Sequence, residues 1–272
     1  MTMLINGQPA DLIPAQDRGL QYGDGLFETI AVRHQQPEYW QQHMSRLLDG
    51  CERLKIPAPD TEQLYNEATS LIAEQQQAVI KIIITRGVGG RGYQLPEHAQ
   101  SHRIVSLHPW PDYSHINIQQ GVTVRSCQTR LSIQPALAGV KHLNRLEQIL
   151  ARQEWNDIHI AEGIMLDTEG RVTEGVVSNL FFVDATGRLL TPELYHCGVN
   201  GIMRQALIQE AQDHSIEVIE KAIMEPEARA CQAMFITNSL FGVWPVKRWN
   251  DTTYNFENSP VYNLITNFNN YR

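Results

Sequence analysis

Lysine is the scarce residue of this sequence. Of 22 Lys and Arg positions in 272 residues, five are lysine: Lys55, Lys81, Lys141, Lys221 and Lys247. An amine catalyst would have to come from that short set. Cysteine is equally thin. Cys51, Cys127, Cys197 and Cys231 are scattered with no close pair. That argues against a disulfide scaffold and a cysteine-based zinc site, and it fits reduced thiols in a cytoplasm. Positive charge is in deficit, with a formal net charge of -8, so no nucleic-acid partner is expected. No apolar run approaches the roughly 18–20 residues that span a bilayer, so no membrane partner is expected either. Residues 1–13 carry no basic start and no long apolar core, and no secretory signal is expected. The ten histidines show no HExxH spacing, so no metal is expected. There is no G-x-S-x-G elbow and no Walker loop. What is present, 42% apolar and 19% charged residues, is a foldable globular composition.

The apolar pattern is mixed. Leu4-Ile5 followed by Asn6-Gly7 signals a tight hairpin. Leu26–Val32 is rich in strand formers. Residues 40–55 read as a helix with an apolar stripe of Met44, Leu47, Leu48, Cys51 and Leu54. A second helix is predicted over 61–75. Val79–Ile84 and Ile104–Leu107 read as strands. His108–Asp112, with two prolines, reads as a linker. Beyond it, Val122–Val124 opens a second β region, and 142–155 is predicted helical through Leu143, Leu146, Ile149 and Leu150. Two hairpins follow, one turning at Asp167–Gly170 and one at Asp184–Gly187. Gly201–Gln212 reads as a helix with Asn200 as its N-cap. Hairpins and helices mix without strict βαβ alternation, which predicts α+β with two domains, 1–110 and 111–272.

Three residues stand out chemically. Lys141 follows an uncharged run from Leu131 to Val140, so it is either a snorkelling anchor or a functional amine. Lys81 is its main competitor, and reads most simply as a strand-edge lysine. Glu174 would share a strand face with Val172, Val176 and Ser178. It is costly to bury there without a charged partner, unless that face is wet. Arg46 lies opposite the apolar stripe of its helix, where pattern alone reads it as solvated. Asn200–Met203 enters a helix whose free N–H groups could meet an anion. Thr85–Tyr93 is a glycine-rich loop with two arginines, suited to an anionic small molecule.

Four stretches together resemble a known family. They are Asp17-Arg18-Gly19 with Tyr22–Thr29, His43–Leu47, Thr173–Phe182 and Gly201–Arg204. In order and spacing they are similar to the class IV, fold-type IV, pyridoxal-phosphate enzymes, which include the branched-chain and D-amino-acid aminotransferases. The resemblance covers essentially the whole chain. It implies a two-domain fold like that of the D-amino-acid aminotransferases: a smaller α/β N-terminal domain and a larger C-terminal domain carrying the cofactor lysine. It implies pyridoxal 5'-phosphate as cofactor. Lys141 matches the lysine that bonds the cofactor, Glu174 the carboxylate facing the pyridine nitrogen, and Arg46 the arginine on the phosphate. Ile202 and Met203 match backbone donors to that phosphate, and Ser239 a nearby hydroxyl.

Within the family, Arg86–Tyr93 and Gly139–Gln148 are similar to the lyases acting on 4-amino-4-deoxychorismate. That branch implies formation of 4-aminobenzoate and pyruvate for folate biosynthesis, with a small-molecule substrate met by Arg91, Arg86, Phe27 and Tyr93. The alternative is an aminotransferase for branched-chain or D-amino acids. The D-amino-acid enzymes carry a tyrosine at the position of Phe27 and an Arg-x-His pair in the loop, where this chain has Arg91-Gly92-Tyr93. Some lyases carry threonine at the position of Glu28. The family is typically a cytoplasmic homodimer.

Overall fold

The structure, a computed structural model, describes residues 2–90, 92–113 and 119–270. It divides into two units. The first holds the chain to Pro111 and the short stretch Val140–Asn144; the second holds Asp112–Gly139 and the chain from Arg145 on.

In the first unit, β1 (Thr2–Ile5) and β2 (Gln8–Pro9) form the expected hairpin. Asn6 and Gly7 both take positive φ, 51° and 81°, as a two-residue turn of this hand requires. Asp17 caps the short helix α1 (Arg18–Tyr22). Then come β3 (Gly25–Arg33), β4 (Gln36–Pro37), α2 (Trp40–Leu54), α3 (Thr61–Ile72), β5 (Gln77–Thr85) and β6 (His102–Pro109). The six strands form one sheet in the order β2-β1-β6-β5-β3-β4. Every pair in it is antiparallel. Alternate residues point to opposite faces. Leu26, Ile30, Ile80, Ile82, Ile84 and Val105 pack into one core with Met44, Leu47 and Cys51 of α2 and Leu64, Ala68, Leu71 and Ile72 of α3. The other face carries Phe27, Thr29, Lys81, Ile83 and Ile104, all half-buried.

The stretch Val140–Asn144 adds to this sheet. Phe27 N–H donates to the Lys141 carbonyl at 3.0 Å and Leu143 N–H to the Gly25 carbonyl at 3.0 Å. Leu26 and His142 form an antiparallel bridge. The helix expected over 142–155 is therefore shorter, and starts only at Leu146.

The second unit runs β7 (Val122–Leu131), α4 (Leu146–Arg152), β8 (Ile160–Asp167), β9 (Val172–Gly175), β10 (Asn179–Val183), β11 (Leu189–Pro192), α5 (Ile202–Asp213), β12 (Val218–Lys221), α6 (Glu225–Arg229), β13 (Ala233–Asn238), β14 (Gly242–Trp249), β15 (Thr252–Thr253) and α7 (Tyr262–Asn270). Its main sheet is β12-β11-β10-β13-β14-β7-β8-β9, with β15 on β14. This sheet is mixed: β7 runs parallel to both β14 and β8, and β11 parallel to β12. Phe182, Met234, Trp244, Val246 and Trp249 anchor its core. Both expected hairpins, β8-β9 and β10-β11, are antiparallel pairs. The N-cap of α5 is Gly201, not Asn200, and no side chain caps the helix. An antiparallel sheet and a mixed sheet with interspersed helices make the chain α+β. Among the described residues no helix is long and apolar enough to cross a membrane.

Candidate active site

The first unit holds two lysines on one aromatic ring. Lys141 Nζ lies 4.3 Å from the Phe27 ring centroid and Lys81 Nζ 5.8 Å from it. The pairing explains Lys81. Thr29, Lys81 and Ser106 are register partners across β3, β5 and β6, next to the Phe27–Ile83–Ile104 row. Lys81 is thus mid-sheet, not at a strand edge. Lys141 reaches the ring because its own carbonyl pairs with the Phe27 N–H.

Glu28 points the other way, toward α2. Its side chain is 1% exposed. It accepts from Arg46 Nε at 2.9 Å and a second guanidinium nitrogen, and pairs with His43 Nδ1 at 2.6 Å. Burial alone would raise its carboxyl, but Arg46 and His43 hold it down at about 2. Burial presses the His43 ring below its ordinary value, with Glu28 opposing and Arg46 and Lys141 assisting. Arg46 is therefore not a solvated surface residue. His43 and Arg46 sit one turn apart on α2 and share one carboxylate.

The glycine-rich loop is tied down at its base. Arg86 is 3% exposed. Its Nε and one terminal nitrogen donate to Asp24 at 2.8 and 3.0 Å, and it also donates to the carbonyls of Leu54 and Lys55. Arg18, equally buried, donates to Asp24 at 2.8 Å and to the Gly92 carbonyl at 3.0 Å, and its guanidinium stacks on Tyr22. Tyr93 is largely exposed and meets Tyr22 edge-on, with the ring centroids 5.6 Å apart. Arg91 lies outside the described residues. Sequence reasoning missed Arg18 and Asp24 as anchors. The signal was there: a carboxylate and an arginine in glycine-punctuated loops, with no charge to spare for the core.

In the second unit Glu174 is 4% exposed, and every residue of β9 is buried, so neither face of this strand is wet. Val199 N–H donates to Glu174 Oε2 at 2.8 Å and Gln148 Nε2 to Oε1 at 3.4 Å. Arg145 is pulled down by its burial while Glu174 and Glu147 pull it up. Ile202 and Met203 open α5, each 1% exposed, behind the uncapped Gly201. Ser239 follows β13 directly, in a connection held by Asn238 Oδ1, which accepts from the N–H groups of Leu240 and Phe241. A second buried carboxylate, Glu162, accepts from Ser178 Oγ at 2.8 Å and from two backbone N–H groups.

The first unit thus offers an amine against an aromatic face and a fixed guanidinium, and the second, taken by itself, offers a buried hydrogen-bonded carboxylate and a helix start without a side-chain cap. Such a helix end favours an anion, and phosphate above all.

Comparison with known proteins follows the same line. Residues 25–249 match the family described as amino-transferase class IV. An aminodeoxychorismate lyase of Vibrio harveyi is 36% identical over 245 residues, covering 89% of each chain. The crystal structure of 4-amino-4-deoxychorismate lyase from Pseudomonas aeruginosa superposes with a TM-score of 0.92 at 43% identity, covering 99% of this chain and 97% of that one. A putative branched-chain-amino-acid aminotransferase of Methanocaldococcus jannaschii is 30% identical, over 90% of this chain and 87% of its own. With a match over most of its length and relatives above 30% identity across nearly all of it, this chain belongs to the class IV aminotransferase family.

Proposed function

We propose that this protein is a pyridoxal-5'-phosphate-dependent carbon-oxygen lyase that converts 4-amino-4-deoxychorismate to 4-aminobenzoate and pyruvate in folate biosynthesis. The donor set suits that cofactor. An aldehyde calls for an amine, a phosphate for an arginine and open helix N–H groups, and a pyridine nitrogen for a carboxylate kept from water. Lys141, Arg46, the N–H groups of Ile202 and Met203, and Glu174 are assigned those parts, with Ser239 as an added hydroxyl. When bound, the cofactor supplies an electron sink for the charge left on the substrate carbon.

The protein's own residues then have distinct tasks. Lys141 Nζ takes the proton from C4 of the substrate and returns one to the departing enolpyruvyl carbon. The C3–O bond breaks, the ring becomes aromatic, and no oxidant or water is consumed. Glu174 keeps a proton on the ring nitrogen. Glu28 takes the Nε edge of Arg46 and so fixes the plane of its guanidinium. The substrate is a dianion. Arg91 offsets one carboxylate, and Lys81, which shares the Phe27 ring with Lys141, is the cation suited to the other. Arg86 spends its donors on Asp24 and on α2 carbonyls, so its part is to hold the loop. Phe27 and Tyr93 offer the substrate ring its apolar surfaces.

The observation that carries this reading is the Lys141 amine on the Phe27 ring, in a chain with lyase relatives at 36% and 43% identity. A branched-chain aminotransferase is the second reading, supported by the 30% relative; Phe27 lacks the hydroxyl that the D-amino-acid enzymes carry. Product analysis decides. Cofactor-loaded protein with 4-amino-4-deoxychorismate should yield 4-aminobenzoate and pyruvate in equal amounts, and Lys141→Ala should yield neither. Amino transfer from leucine, with no aromatic product, would make the protein an aminotransferase.

The homodimer belongs to the same reading. Leu146, Ile149 and Leu150 stand exposed on one side of α4, at 72, 51 and 54%. Apolar side chains grouped in this way support a subunit contact on this side of the helix. The four unpaired cysteines support a reducing, cytoplasmic setting.

A further inference from the structure

The loop Gly198–Gly201 is where several polar ties of the second unit meet. Gly139 N–H donates to the Gly198 carbonyl at 2.8 Å, and Asn200 N–H to the Gly139 carbonyl at 3.1 Å. Val199 N–H holds Glu174. The Val199 carbonyl accepts in turn from Asn179 Nδ2 at 2.8 Å. Asn179 is the first residue of β10 and is 6% exposed. Its Oδ1 fills the place where a β-carbon on Gly201 would stand: such a carbon would lie 2.0 Å from it. Gly201 has φ -63° and ψ 142°, a conformation open to any L-residue. Its backbone therefore does not call for glycine; the Asn179 amide does.

We propose that Asn179 is a positioning residue that couples the two ends of the cofactor-holding group. Through Val199 it steadies the Glu174 carboxylate. Through Gly201 it sets the start of α5 and so the N–H groups of Ile202 and Met203. This inference rests on the cofactor reading above. Its physical content is one shared interaction with two ways to break it. Removing the amide leaves the Val199 carbonyl without its donor and frees Gly201 to shift. Adding a β-carbon at Gly201 expels the amide and does the same. Losses that arise from one broken contact do not add, whereas independent losses do.

The test uses four apoproteins: wild type, Asn179→Ala, Gly201→Ala and the double variant. For each, the dissociation constants of pyridoxal 5'-phosphate and of phosphate-free pyridoxal are measured, together with backbone amide exchange over residues 199–203. Each single substitution should weaken binding of pyridoxal 5'-phosphate by about tenfold, the scale of one lost hydrogen bond in a buried site. Pyridoxal should be affected less. The double variant should bind no worse than the weaker single, and exchange at Ile202 and Met203 should rise in all three. Wild-type affinity in Asn179→Ala, or losses that multiply in the double variant, would overturn the coupling. If the wild type binds no pyridoxal 5'-phosphate, the cofactor reading falls. Exchange then decides alone, and unchanged exchange in Asn179→Ala overturns the proposal. Should Gly201→Ala fail to fold, the coupling requires that the double variant fold, because the alanine then has the vacated room. Failure of both variants to fold would count against it.

Discussion

Glu28 shows how far one carboxylate can organise its neighbours. Its two partners lie one turn apart on α2, and all three side chains are nearly out of water. The depressed carboxyl sets a sign for the pH dependence. A group whose pKa falls from the ordinary 4.5 to about 2 on folding contributes stability that is complete above pH ~4.5 and lost as the pH falls toward 2. Glu28→Gln should therefore flatten the acid limb of a stability–pH profile between those values. It should also cost about 3 kcal/mol at neutral pH, because Arg46 and His43 lose a buried partner; urea unfolding at several pH values measures both. An acid limb identical to wild type would contradict the pairing. Lys141 is a different kind of residue. Its ring contact with Phe27 is modest, about 0.5–2 kcal/mol on general grounds, so Lys141→Ala should keep a cooperative melt while losing all turnover.

At the scale of elements, one turn and one helix end make specific predictions. His34 and Gln35 join β3 to β4 in two residues, both at positive φ, 50° and 63°. Neither is the residue type that such a turn favours, and the sequence offers no Asn-Gly signal there. Gln35→Gly should stabilise the protein by about 1 kcal/mol, read as a shift of the urea midpoint. The second case is the C-terminus of α2. Arg86 brings a positive charge to its last carbonyls and joins them to Asp24, a favourable place for a cation. Arg86→Lys loses the planar fork that makes those bonds together. The variant should lose about 2–3 kcal/mol of stability with KM for the substrate nearly unchanged. A raised KM at unchanged stability would instead assign Arg86 to the substrate.

For the molecule as a whole, the exposed α4 stripe makes a prediction about assembly. If the proposed homodimer is held through this stripe, Leu150→Asp should shift the sedimentation of the protein toward the monomer and weaken activity with it; an unaltered sedimentation coefficient would contradict that contact. What the sequence determined by itself was whatever depends on local spacing. The Asn6-Gly7 hairpin, the α2 stripe, the strands begun at Leu26, Val79, Ile104 and Val122 and the hairpins at Asp167 and Asp184 follow from periodicity and turn chemistry, which act between near neighbours. The oddity of Lys141 and Glu174 was legible for a similar reason, since a charge set among apolar residues is visible in one dimension. The rest depended on partners far apart in the chain. Glu28 meets α2 because strand alternation aims it at the helix, while Phe27, one residue earlier, turns to the face where Lys81 and Lys141 lie. His142–Asn144 reads from sequence as the start of a helix; the backbone of Lys141 and Leu143 hydrogen-bonds to Phe27 and Gly25 instead. No local pattern encodes such a pairing, because its stabilisation comes from a strand more than a hundred residues away. Nothing local assigns Asn179 its contacts, for the same reason: its donor satisfies a carbonyl, and its oxygen fills a space, that exist only once the chain has folded back on itself.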